Sequence, residues 1–219
     1  MSEYVNLFYV LAAVFFMLGL KQLSHPRTAR TGNALASLGM FIAILATLIA
    51  YTSLDYTYIY VGMIIGSIIG VTFAIKVEMT SMPQLVALFN GFGGGASALV
   101  ATAEFFSKIT LENHPVFLTS TIVISVFVGT LTLTGSIIAF CKLQGIISGR
   151  PIVFPGQQIL NGLFAIFLIF LGVYIVMSDA HFLNSFYGLV IIAGLLGITL
   201  TIPIGGADMP VVISLLNSY

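Results

Sequence analysis

The sequence predicts an all-α fold: a polytopic transmembrane bundle of about eight hydrophobic helices. Three observations carry this expectation. Hydrophobic residues make up 59% of the 219-residue chain and charged residues only 6%, whereas a soluble domain carries about 25% charged residues to cover its surface. Mean hydropathy is +1.14. The apolar residues are also gathered into stretches near the roughly 20 residues that a bilayer span requires.

The spans read in order as follows. Tyr4–Leu20 comes after Glu3 with no basic segment before it, so it reads as a retained first span and not a cleaved signal. Asn33–Tyr51, Tyr58–Ile75, Met82–Phe106, Phe117–Leu143, Gln158–Met177 and Phe182–Ile202 are each long and apolar enough to cross. The eighth starts at Asp208 and has run about twelve residues at Tyr219, too short to cross. The expectation is therefore a single membrane domain over 1–219 whose last helix is truncated.

Composition also excludes classes. Formal net charge is zero, which argues against a nucleic-acid partner, since that would need a basic face. Cys141 is the only cysteine, so neither an internal disulfide nor a cysteine-based metal site is expected. Lys21, Arg27 and Arg30 follow span one, Lys76 follows span three, and Lys142 and Arg150 close span five. Only Lys108 lies on the other side. The positive-inside rule then puts these odd-numbered connections in the cytoplasm and the N-terminus outside.

A shift of 127 positions aligns Val61–Gly91 with Gly188–Ser218 without a gap. The informative identities are Met82 with Met209, Pro83 with Pro210 and Asn90 with Asn217, and Ser81 pairs with Asp208, both N-cap types. The two segments run in the same direction, so the expectation is a parallel internal repeat.

Few residues inside the spans can carry chemistry. Asn90 and Asn217 each lie seven residues beyond their proline, about 10 Å into the membrane at 1.5 Å per residue. Buried amides need partners in hydrocarbon. They mark ion or proton paths, or else act only as glue between helices. Span five offers Thr130, Thr132, Thr134 and Ser136, hydroxyls that line a wet path or bond back to the preceding turn. Glu78 and Asp208 stand at the starts of spans four and eight, where a carboxylate suits the helix dipole. Glu104 has Lys108 four residues on as a partner. His25, His114 and His181 all fall in connections, so no histidine lies inside a span.

Glycines supply the remaining pattern. Gly62, Gly66 and Gly70 form one ridge, and Gly91 with Gly95 a second, that let helices approach closely. Gly91–Ala96 also fits the dinucleotide fingerprint, but it lies inside an apolar span after a helix start and not after a strand, so it is rejected as a nucleotide site. These residues alone leave three classes open: a secondary transporter, a proton-channel subunit of a larger enzyme, and a structural membrane subunit.

Three strings narrow the choice. They are Lys76-Val-Glu-Met-Thr-Ser-Met-Pro-Gln-Leu-Val-Ala-Leu, Thr134-Gly-Ser-Ile-Ile-Ala-Phe-Cys-Lys-Leu-Gln-Gly, and Gly205-Gly-Ala-Asp-Met-Pro-Val-Val-Ile-Ser-Leu-Leu-Asn-Ser-Tyr219. Together they make the chain closely resemble the beta subunit of the proton-translocating NAD(P) transhydrogenases, from the N-terminus to the last residue.

The resemblance implies an enzyme that passes hydride from NADH to NADP+ while protons move across a bacterial inner (plasma) membrane. NAD(H) and NADP(H) bind in soluble domains, and the NADP(H)-binding domain that follows this membrane part is absent here. This chain would thus bind no cofactor and no metal and would not be catalytic alone. The implied partners are alpha subunits, the NADP(H)-binding domain, the lipid bilayer and a second copy in a dimeric enzyme. Nine helices are implied for the full membrane part, with the N-terminus outside. The resemblance also implies that Asp208 and Glu78 face and couple to the NADP(H) domain, and that Ser136 and Asn217, with Asn90 and Thr134 beside them, line the proton path. Some family members hold a relay histidine where this chain has Asn90, and an amide cannot titrate. The alternative to a transhydrogenase subunit is a stand-alone secondary transporter or ion-conducting protein.

Overall fold

The computed structural model describes residues 2–50, 56–108, 115–177 and 182–218. Among them are eight α-helices and no strand: α1 Ser2–Leu23, α2 Ala29–Ala50, α3 Thr57–Lys76, α4 Met82–Lys108, α5 Val116–Leu143, α6 Gln157–Met177, α7 Phe182–Thr201 and α8 Met209–Ser218. Seven are long and apolar enough to cross a membrane, and α8 is the exception. Large apolar side chains such as Leu99, Val100, Ile159 and Ile169 stand exposed on helix surfaces, an arrangement that a bilayer solvates and water does not. The chain divides into two compact units, 1–70 and 71–219.

In the first unit α1 and α2 form a tight hairpin. Thr28 organises its turn, donating its hydroxyl to the Gln22 carbonyl at 2.7 Å while its own carbonyl accepts the Gly32 amide at 2.8 Å. Glycine lets the helices close. A Cβ at Gly32 would stand 2.7 Å from the Gly19 carbonyl oxygen, and this small-residue packing substitutes for a hydrophobic drive that lipid does not supply. Beside Gly62, Gly66 and Gly70, no described atom of their own unit lies within 4 Å of where a Cβ would stand.

The second unit is built around α5, which packs against α4, α6, α7 and α8. Val126, Ser136 and Ala139 of α5 are fully enclosed. Phe105 of α4 stacks on Phe186 of α7 with ring centres 4.1 Å apart. Past its last turn α5 ends in a Schellman motif. Gly145 takes the left-handed conformation at φ 74°, its amide bonds the Lys142 carbonyl at 3.2 Å, and the Ile146 amide bonds the Cys141 carbonyl at 2.9 Å.

The starts of α4 and α8 differ from expectation in one respect. Ser81 and Asp208 read as N-caps, yet each ends a 3₁₀ turn, over residues 79–81 and 206–208. Neither side chain makes a capping bond among the described residues. The Met82 amide bonds the Met79 carbonyl and the Met209 amide bonds the Gly206 carbonyl, so each 3₁₀ turn runs directly into its helix. The two turns are near copies. Glu78 has φ −67° and ψ 151°, and Gly205, 127 positions later, has φ −69° and ψ 150°. The local backbone therefore recurs where the sequence does.

Candidate functional site

Helices α4, α5 and α8 enclose a cleft of about 1090 Å³. Each reaches it with a few small or polar residues among apolar ones such as Phe89, Ile124 and Leu216. On α4, Asn90, Gly93, Gly94 and Ser97 share one face, three, four and seven residues apart as helical geometry requires. On α5, Ser125 and Thr132 face inward, and on α8 Ser214 and Asn217 do. Both asparagines singled out by the sequence thus line one cleft, on two different helices.

Ser136 lies behind this wall, fully buried. The Asn90 amide Nδ2 donates to the Ser136 Oγ at 2.9 Å, a normal N–H···O distance. Gly91 makes the approach possible, since a Cβ there would already stand 3.1 Å from the Ser136 Cβ. One turn along, Gly94 and Gly129 bring the two backbones together: a Cβ at Gly129 would stand 2.5 Å from the Gly94 carbonyl oxygen. The wall of the cleft is therefore set by glycine contacts, and the Asn90–Ser136 bond depends on them.

Thr134 is elsewhere. Its hydroxyl bonds back to the carbonyls of Thr130 at 3.1 Å and Leu131 at 3.2 Å, and it packs on Gly194 and Gly197 of α7. It belongs to the α5–α7 contact and does not line the cleft. Glu78 and Asp208 stand exposed in the two turn regions that begin α4 and α8, and Thr80 reaches Glu78 at 3.4 Å. Gly91–Ala96 forms the middle of α4. With no strand and no turn around it, it has none of the geometry that brings a backbone to a pyrophosphate.

None of the residues lining the cleft can titrate near neutrality. The arrangement offers amides and hydroxyls that orient water by hydrogen bonds, but nothing there stores a proton. Sequence reasoning missed Ser97, Ser125 and Ser214. Two carried a signal, since Ser97 is seven residues beyond Asn90 and Ser214 three before Asn217.

Residues 5–219 match the family model described as NAD(P) transhydrogenase beta subunit. Two curated relatives from Rhodospirillum rubrum, one assigned to a particular strain, are each named NAD(P) transhydrogenase subunit beta. Each is 43% identical to this chain over 216 residues, covering 96% of this chain and 46% of the relative. The chain spans about half the length of these curated relatives.

Proposed function

The chain belongs to the NAD(P) transhydrogenase beta-subunit family, and from that premise we propose that it is the membrane domain through which protons pass. In the complete enzyme that passage is coupled to hydride transfer from NADH to NADP+. The observation that carries the proposal is the cleft between α4, α5 and α8, faced by both Asn90 and Asn217, with Ser136 bonded to Asn90 behind it.

Each group has a part in this reading. The Asn90 amide, anchored on Ser136, presents a fixed donor and acceptor to water in the cleft. Asn217 does the same from α8, as the counterpart of Asn90 in a parallel repeat that includes the two matching turns. Neither amide holds the proton; they align the water that does. Asp208, exposed at the start of α8, is the carboxylate nearest in sequence to this machinery and couples it to the NADP(H)-binding domain, and Glu78, just before the turn that leads into α4, is a second carboxylate with that role. Thr134 serves the packing of α7 and supports the path only indirectly.

The partners follow from this reading: alpha subunits, the NADP(H)-binding domain, and a second copy of the complete enzyme. The membrane is the bacterial inner membrane, with the N-terminus outside. The test uses full-length beta subunit with its partner subunits in sealed vesicles. Reduction of an NAD analogue by NADPH should move protons across the membrane, read with a pH-sensitive dye. Hydride transfer without proton movement would overturn the proposal, and so would ion movement that needs no nucleotide.

A further inference from the structure

One buried ionisable side chain has no part in the cleft. Lys142, in the last turn of α5, is only 3% exposed. Its ammonium donates to three backbone carbonyls, Arg150 at 3.2 Å, Ile202 at 2.5 Å and Ile204 at 2.8 Å. An ammonium has three donors, so all are used, and no carboxylate among the described residues pairs with it.

The three carbonyls come from two places. Arg150 lies in the connection between α5 and α6, and Ile202 and Ile204 lie just past the end of α7. Backbone bonds join the same two segments: the Ile152 amide to the Ile202 carbonyl at 3.3 Å, and the Gly206 amide to the Gly149 carbonyl at 2.8 Å. Buried Gln157 at the start of α6 adds a bond from Nε2 to the Thr199 carbonyl at 2.9 Å. Carbonyls at a helix C-terminus carry partial negative charge and favour a cation. A cation buried without a counter-ion is nevertheless costly, and a helix end can be capped by glycine alone. What the ammonium adds is a tie from α5 to two strands of chain, one eight residues on and the other about sixty.

One of those strands leads directly to Asp208, four residues beyond Ile204. On its other side Lys142 is six residues beyond Ser136 on the same helix, about 9 Å along its axis. We propose that Lys142 is a positioning residue: it fixes segment 202–208 against α5 and so sets where Asp208 stands relative to the helix that anchors Asn90. This rests on the reading of Asp208 as the coupling carboxylate.

The test uses the full-length subunit with its partner subunits in vesicles, in a Cys141→Ala background carrying Ala207→Cys as a reporter on the exposed residue beside Asp208. Lys142→Met should raise the rate of labelling at position 207 by a membrane-impermeant maleimide several-fold. It should also lower kcat for coupled turnover several-fold with little change in KM for the nucleotides. Lys142→Arg, which keeps the charge and the donors, should bring both back towards the parent. An unchanged labelling rate in Lys142→Met, or a raised one that Lys142→Arg does not reverse, would overturn the proposal. Should Lys142→Met fail to accumulate, Lys142→Gln, which keeps two donors and loses the charge, takes its place. It should raise the labelling rate at position 207, and an unchanged rate would overturn the proposal. A fully coupled Asp208→Asn enzyme would instead remove the reading of Asp208 while leaving the labelling result intact, so the two failures are distinct.

Discussion

One methyl group decides how closely α4 and α5 lie. At Gly129 a Cβ would stand 2.5 Å from the Gly94 carbonyl oxygen and 2.8 Å from the Ala98 amide nitrogen. Both are backbone atoms, which cannot swing aside as a side chain does. Gly129→Ala must therefore push the helices apart, at about 1–3 kcal/mol for an overpacked contact. The same movement stretches the 2.9 Å Asn90–Ser136 bond, which has only a few tenths of an ångström to spare before it leaves the normal range. Gly129→Ala is expected to lower the melting temperature in detergent and to reduce proton-coupled turnover together. Gly93→Ala is the control. It has nothing within 4 Å of its Cβ position, and its effect should stay within about 0.5 kcal/mol. Equal behaviour of the two variants in a thermal melt would show that glycine contacts do not set the wall of the cleft.

Among the elements, the connections carry the directional information. The cationic residues at and beyond the ends of α1, α3 and α5 outnumber the single Lys108 at the end of α4, so cysteines placed at Arg27 and Arg150 should label from the cytoplasmic side of sealed vesicles, and one at Lys108 from the outside. Labelling of position 150 from the outside alone would reverse the orientation. The helices themselves were legible in the sequence, because hydropathy and span length act through the bilayer on every residue of a stretch. Their ends were less so: α2 starts at Ala29 and not at Asn33 because Thr28 organises the turn through backbone carbonyls. Ser81 and Asp208 looked like caps because the residue type is right, whereas a 3₁₀ turn that runs directly into the helix leaves no compositional mark. In the site, Asn90 and Asn217 were legible, since an amide in an apolar span is conspicuous and a shift of 127 positions pairs the two. Thr134 was not separable from Thr132 by spacing alone, because only the position of α7 shows which hydroxyl faces a neighbouring helix. Lys142 read as a topology charge because its partners are carbonyls, one eight residues on and two about sixty residues on, and carbonyls have no sequence signature.

At the scale of the whole molecule, the cleft has the groups to hold water but none to hold a proton. Proton transfer across a bilayer needs a group that gains and releases protons, or an unbroken file of water. The residues lining the cleft are amides, hydroxyls and apolar side chains, none with a pKa near neutrality. Histidine is the side chain suited to that range, and His25, in the turn between α1 and α2, is the one histidine among the described residues. His114 and His181 lie outside the described residues, in connections by the sequence reading. The titrating group in the assembled enzyme is therefore expected from a partner subunit, most simply a histidine on an alpha-subunit helix seated near α4. Asn90 is the position where this chain would accept the role itself, because its side chain lines the cleft and already reaches Ser136. Replacing the partner's intramembrane histidine should abolish proton pumping, and adding Asn90→His to that variant should restore part of it, read with a pH dye in vesicles making NADPH-driven hydride transfer. Restoration at position 90 would also require an imidazole there to sit in the water path, which a residue serving only as packing would not do. Intact pumping by an enzyme whose partner has no intramembrane histidine would sink the expectation, and a water file aligned by Asn90 and Asn217 would then carry the proton unaided.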